Sequence, residues 1–209
     1  MKFYDCKTAP SPRRVRIFLA EKGIDIETIQ VDLASGEQFS DEFRQMNPDC
    51  VVPVLQLDDG SCLSEVTAIC QYLEACYPEP PLLGTTVEER ARVTMWNTKI
   101  EQQGLLSMAD AFRNSAKGLS GRAVTGSRGY EQIPELAERG RQRVQQFFAR
   151  LDGQLADSTY IAGANFSMAD ISALVVVDFA AWIKIGVPDK AANLARWYGE
   201  ISARPGAVA

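Results

Sequence analysis

Val52-Pro53 and Glu65 are the residues of this chain whose types and spacing best fit a chemical task. Pro53 cannot donate to a sheet ladder, so a proline directly before Val54-Leu55 marks the start or edge of a strand. The N–H and C=O of Val52 are then free to pair with an extended peptide. Whether the bond before Pro53 is cis or trans is open at this level. Downstream, Ser64-Glu65-Val66 precede a helical pattern, and a helix start offers N–H groups and a positive dipole end to a carboxylate. Backbone capture beside anion capture suits a small acidic peptide. The plainer alternatives are a strand-edge turn at Val52-Pro53 and a solvated, dipole-favouring acid at Glu65.

The elements that must position these residues follow from periodicity and punctuation. A short strand is expected at residues 2–5, then a helix opened by Pro12, striped by Val15, Phe18 and Leu19 and closed by Gly23. Further strands are expected near residues 28–32, 54–57 and 61–63, the last two joined by a turn at Asp58-Asp59-Gly60. Ile69, Tyr72, Leu73 and Cys76 then recur at i, i+3, i+4 and i+7. This order predicts an α/β thioredoxin-like N-terminal domain, residues 1–77. The proline cluster Pro78-Glu79-Pro80-Pro81 begins a linker, residues 78–87. An all-α helical C-terminal domain, residues 88–209, is expected from the stripes Val93/Trp96/Ile100, Val144/Phe147/Phe148/Leu151/Leu155 and Leu194/Trp197/Tyr198/Ile201. Residues 118–129, rich in glycine and serine, read as a mobile loop between helices. Ser167-Met168-Ala169-Asp170 reads as a capping box stapled by Phe166 on Ile171, a folding element without catalytic role.

Composition removes several function classes. The chain has 209 residues, 22 basic and 27 acidic, a net charge of −5 without a basic block, so nucleic acid and anionic membrane surfaces are not expected partners. No leader or spanning segment is expected, which points to a cytoplasmic protein. The five cysteines are odd in number and form no Cys-x-x-Cys pair, so reduced thiols are expected. Histidine is absent, which excludes Ser-His-Asp and Cys-His catalysis and the common zinc sites, and no metal is expected. Whatever chemistry occurs must then run without an imidazole, a condition met where the nucleophile arrives with a substrate.

The opening Lys2-Phe3-Tyr4, the segment Arg14-Val15-Arg16-Ile17-Phe18-Leu19-Ala20-Glu21-Lys22-Gly23, Val52-Pro53, Glu65 and Ser167-Met168-Ala169-Asp170 occur in an order and at separations that resemble the cytosolic glutathione S-transferase family, with bacterial, theta- and nu-like features. The resemblance implies a detoxifying transferase that takes glutathione as co-substrate, stabilises its thiolate for attack on a hydrophobic electrophile, and works as a homodimer. A glutathione-dependent peroxidase or disulfide reductase, or a noncatalytic binding protein on the same scaffold, is the alternative. By the same resemblance Val52 and Pro53 hold the peptide backbone and Glu65 the γ-glutamyl end. Val66 stands where many members have serine, keeping the N–H and losing the hydroxyl. Gln38 resembles the polar residue at the glycyl end, a solvated loop glutamine being the alternative. The family's thiol-activating position falls on Ala9. Ser11 is therefore the first candidate for that role, with helix N-cap as its alternative; Thr8 is second, and Cys6 third, with a structural thiol as its alternative. Tyr4 reads as core. An acceptor pocket is expected with Met95, Trp96, Phe112 and Trp182 as candidate lining, each also readable as core.

Overall fold

The computed structural model describes residues 1–209, which divide into two compact units. The first comprises Met1–Pro80 with Thr125–Arg128 and Ala209; the second comprises Pro81–Val124 with Gly129–Val208.

The first unit is a four-stranded mixed sheet with helices. Its strands are β1 (Lys2–Asp5), β2 (Glu27–Gln30), β3 (Val54–Gln56) and β4 (Cys62–Ser64), in spatial order β2-β1-β3-β4. β1 runs parallel to β2 and antiparallel to β3, and β3 is antiparallel to β4. The parallel β1–β2 pair needs a crossover, supplied by α1 (Pro10–Lys22). Pro10, rather than Pro12, takes the first helical position, where its missing N–H removes no helical bond. Gly23 ends α1 in the left-handed region at φ 64°, as the sequence predicts. Val15, Ile17 and Phe18 of α1 and Ile69 and Leu73 of α3 (Val66–Cys76) are all essentially solvent-free. Between β2 and β3 lie a 3-10 turn, Glu37–Phe39, and α2 (Asp41–Met46), both absent from the sequence expectation. Phe43 of α2 packs with Val31 and Val54, and Val52 and Tyr4 join that cluster.

Lys22 closes this unit at the far end of α1. Its ammonium is solvent-free and lies 2.7 Å from each of Tyr77 O, Pro80 O and Glu74 Oε2. Charge, helix C-terminus and linker carbonyl are thereby joined in one contact.

The second unit is helical: α4 (Val87–Lys99), α5 (Leu106–Arg113), α6 (Pro134–Gln154), α7 (Met168–Ala180) and α8 (Ala192–Ser202). A π-helical turn, Ile100–Leu105, joins α4 to α5 without a break. A Cβ on Gly104 within it would lie 2.8 Å from the Phe147 ring, so the close approach of this turn to α6 requires glycine. The α5–α6 crossing is closer still. A Cβ on Gly140 would meet Ser107 O at 2.6 Å and Ala111 N at 2.7 Å. α7 is buried on all sides, and its N-terminus carries the expected reciprocal capping box of Ser167 and Asp170. Phe166 finds its ring partners in Tyr160, edge-on at 6.0 Å, and the Arg204 guanidinium at 3.9 Å.

The segment expected to be a mobile loop is pinned. Ala123 N–H donates to Tyr130 O and Tyr130 N–H to Gly121 O, while Arg113 Nη2 donates to Arg122 O at 2.6 Å. A 3-10 turn, Ala181–Ile183, ends at Lys184 with φ 62°. No helix of the chain is long and apolar enough to cross a membrane.

Candidate functional site

Sheet register gathers the candidate residues at one end of the first unit. Tyr4 pairs with Val54, and Val54 pairs with Ser64. Because β3 runs opposite to its neighbours, the chain enters β3 through Val52-Pro53 where β1 leaves toward residues 6–11 and β4 leaves toward Glu65. Thr8, Ser11, Val52, Pro53, Glu65 and Val66 all flank that end. Residues 31–39, with Gln38, follow the same end of β2.

The Val52-Pro53 bond is cis. No protein group pairs with the Val52 N–H or C=O, while its side chain is packed against the Val31/Phe43/Val54 cluster. The approach to Val52 is fixed by Asn47, which is 3% exposed. Its Nδ2 donates to Val51 O at 2.9 Å, its Oδ1 accepts from Asp49 N–H, and its carbonyl accepts from Cys50 N–H. Cys50 completes the bend at φ 56°, with its thiol buried on Pro48 O. Asn47 is a supporting residue the sequence reading did not identify; its place before a proline in Asn47-Pro48-Asp49 is a turn signature that could have revealed it.

Glu65 is exposed and forms the N-cap of α3, with φ 69° and ψ 124°. A non-glycine residue in that region costs energy, and such outliers collect where function holds them. Its carboxylate has no hydrogen-bond or ion-pair partner in the protein, and no side chain caps α3. Val66 is 3% exposed, its apolar side chain packed away from the surface, so its main-chain N–H is the one polar donor it has to offer.

Gln38 departs from the solvated alternative: it is 3% exposed, and its Oε1 is buried without a protein donor. A buried amide oxygen left unpaired is uncommon and calls for a partner.

At the start of α1 the N-cap is Ala9, which carries no capping side chain, so the N-cap alternative for Ser11 is corrected. Pro10 took the first helical position and moved the cap back to residue 9. Pro10 and Pro12 have no N–H, and Arg13 N–H is spent on Ala9 O, which leaves Ser11 N–H as the donor of the first turn. The half-buried Ser11 hydroxyl is likewise without a protein partner. Thr8 is exposed, its Oγ1 3.5 Å from the sulfur of the buried Cys6. Tyr4 is structural as expected, donating to Gln56 Oε1.

Of the acceptor-pocket candidates, Trp96 is buried, whereas Met95 is 43% and Trp182 is 52% exposed. Phe112, Phe179 and Trp182 form an edge-to-face cluster with centroids 4.8 to 5.6 Å apart.

The sequence matches the family described as Glutathione S-transferase, N-terminal domain, over residues 8–76, and that described as Glutathione S-transferase, C-terminal domain, over residues 106–205. It is 34% identical to Glutathione S-transferase 2 of Saccharomyces cerevisiae over 207 residues, 98% of this chain and 87% of the yeast protein. Its fold superposes on a glutathione S-transferase domain-containing protein of Marinobacter aquaeolei with TM-score 0.92 at 35% identity, covering 99% of this chain and 100% of that one. Gtt2 of Saccharomyces cerevisiae gives TM-score 0.91 at 34% identity, covering 99% and 98%. The chain belongs to the glutathione S-transferase family: a thioredoxin-like domain followed by a helical one, an enzyme with glutathione as co-substrate.

Proposed function

We propose that this glutathione S-transferase holds glutathione along Val52-Pro53, with Glu65 and the Val66 N–H at the γ-glutamyl end and Gln38 at the glycyl end, and presents the thiol to Ser11. The observation that carries this is the unpaired Val52 main chain beside a strained, uncapped Glu65 at one end of the sheet. A peptide backbone satisfies the Val52 N–H and C=O as an added strand would, and an ammonium satisfies the Glu65 carboxylate. The amide of Gln38 supplies a polar partner from a buried position.

Ser11 N–H and Oγ–H are the activating donors at the positive end of α1, with Thr8 as the second hydroxyl. The thiol proton leaves to solvent, and the thiolate attacks an electrophilic carbon of a hydrophobic small molecule. A carbon–sulfur bond forms as the leaving group departs with its electron pair. A free cysteine thiol ionises near 8.5, and each unit of lowering takes roughly 1.4 kcal/mol of preferential stabilisation of the thiolate. Family membership supports a homodimer working in the cytoplasm.

Calorimetric titration with reduced glutathione, followed by thiolate absorbance of the complex across pH, tests both halves. Binding with a thiol ionising clearly below 8.5 is the expected result. Glu65→Gln should weaken binding by about 10- to 100-fold, the worth of a hydrogen bond to a charged group. Ser11→Ala should leave affinity within about threefold and lower turnover of an activated aryl halide by about tenfold or more. Binding without a lowered thiol pKa would make this a noncatalytic glutathione-binding protein, an outcome that Ala9 at the α1 N-cap makes specific.

A further inference from the structure

The turn joining β1 to α1 carries Thr8 and delivers Ser11, and a buried polar network holds it. Asp5, the last residue of β1, is 1% exposed. Its Oδ1 accepts from Arg16 Nη1 at 2.6 Å and its Oδ2 from Gln30 Nε2 at 2.6 Å. Arg16 also reaches the main chain of the turn, Nη1 to Cys6 O at 3.4 Å and Nη2 to Lys7 O at 3.0 Å. Gln30 closes the opposite side by accepting the Lys7 N–H on Oε1 at 2.9 Å. Two carbonyls and one N–H of a short turn are thus fixed by side chains from α1 and β2. A further main-chain bond, Ala9 N–H to Cys6 O at 2.9 Å, passes that order on to the α1 N-cap.

Ion pairs of this kind add little net stability over apolar packing, because desolvation offsets attraction. What the pair does supply is geometry. One planar guanidinium grips a carboxylate and two carbonyls at once through a rigid fork, a geometry that the compact, freely rotating ammonium of a lysine at this position does not reproduce. Arg16 also lies on the helix whose first turn carries Ser11, so turn and helix start are locked to each other through one side chain.

We propose that Arg16 and Gln30, anchored on Asp5, are positioning residues that set where the donors of Ser11 and Thr8 stand relative to the sulfur of bound glutathione. This rests on the thiolate chemistry proposed above. Neither residue touches the proposed ligand contacts; both act through the main chain of residues 6–9. A displacement of 1 Å in such a donor can cost roughly 100-fold in rate.

Two variants test this. Arg16→Lys keeps the charge and loses the fork, and Gln30→Ala releases the Lys7 N–H without changing any charge. Both should bind glutathione within about threefold of wild type, because the contacts at Val52, Glu65 and Gln38 are untouched. Both should lose about tenfold in kcat/KM for conjugation at pH 6.5, the effect of about one unit in the bound thiol. The loss should shrink to under about twofold at pH 9.5, where even an unassisted thiol is ionised.

An equal loss at both pH values, or a loss confined to affinity, would overturn the inference by showing a structural or binding role instead. Wild-type activity in Arg16→Lys with a defect in Arg16→Gln would overturn it in favour of a direct electrostatic role. Should Arg16→Lys fail to fold, Gln30→Ala decides alone. A wild-type protein that binds glutathione without lowering its thiol pKa removes the proposed chemistry and this inference together, a result visible before any variant is made.

Discussion

Replacing Asp170 by alanine should destabilise the fold, and more so at pH 4.5 than at pH 7. Its solvent-free carboxylate accepts from Ile161 N–H and Trp197 Nε1–H on Oδ1, and from Ser167 N–H and Oγ–H on Oδ2. The Ser167 hydroxyl can turn elsewhere after truncation. Three buried N–H groups cannot, and each stranded donor costs roughly 1–3 kcal/mol. Against this, burial raises the carboxyl from 3.8 to about 6 despite those hydrogen bonds. Ionising it in the folded protein at pH 7 therefore costs roughly 3 kcal/mol, which truncation relieves. Taking roughly 2 kcal/mol for each of the three donors, about 6 kcal/mol together, the net loss at pH 7 is about 3 kcal/mol.

The sign with pH follows from the direction of the shift. A folded pKa above the unfolded one gives a stabilisation that is whole below 3.8 and lost as pH rises through about 6. At pH 4.5 most of that stabilisation is restored to the wild type, and the gap widens to about 5 kcal/mol. For a chain of this size each kcal/mol moves Tm by about 2–4 °C, so differences of roughly 6–12 °C at pH 7 and 10–20 °C at pH 4.5 are expected. Scanning calorimetry of both proteins at the two pH values measures them, and the subtraction removes every other titrating group. A gap that narrows on acidification would refute the reasoning, as would a shift at pH 7 below about 2 °C.

Gly140→Ala should lower Tm by about 4–10 °C, because its Cβ would meet the main chain of Ser107 and Ala111, which cannot turn aside as a side chain could. Lys184→Gly should raise Tm by about 1–4 °C, since an exposed lysine at φ 62° carries a Cβ penalty that glycine lacks. Lys22→Met should cost about 2–4 kcal/mol in denaturant unfolding, as the carbonyls of Tyr77 and Pro80 and the charge of Glu74 lose their shared cation. A Lys22→Met midpoint equal to wild type would show that packing on Phe18, not charge, is what matters there.

Sequence was informative where a local rule has a local consequence. Gly23 at the end of α1, the Ser167–Asp170 box and the proline entering β3 were all legible, because each is a statement about one or two dihedral angles or one turn of helix. α2 was missed since Asp41–Met46 is too short to show periodicity, although Ser40 accepting from Phe43 N–H with acids in the first turn is a capping signal. The N-cap of α1 was misplaced because either Pro10 or Pro12 can open a helix, and tertiary context chose the first. Other features had no local signature. Burial of Gln38 depends on how its 3-10 turn docks, the positive φ of Glu65 on how β4 meets α3, and the Asp5–Arg16–Gln30 network on contacts between residues far apart in sequence.

The unpaired main chain at Val52 also bears on how this enzyme can change. Only proline at residue 52 would delete the N–H and no substitution deletes the C=O, so a side-chain scan would score the position by its packing against Phe43 and Val54 and pass over the recognition role proposed for its main chain. The instruction for that contact is written one residue later, in the imino acid that opens β3. On the proposed binding mode, residue 52 should therefore drift among apolar side chains with glutathione affinity unchanged, and mutational sensitivity at residue 53 should stand in for both.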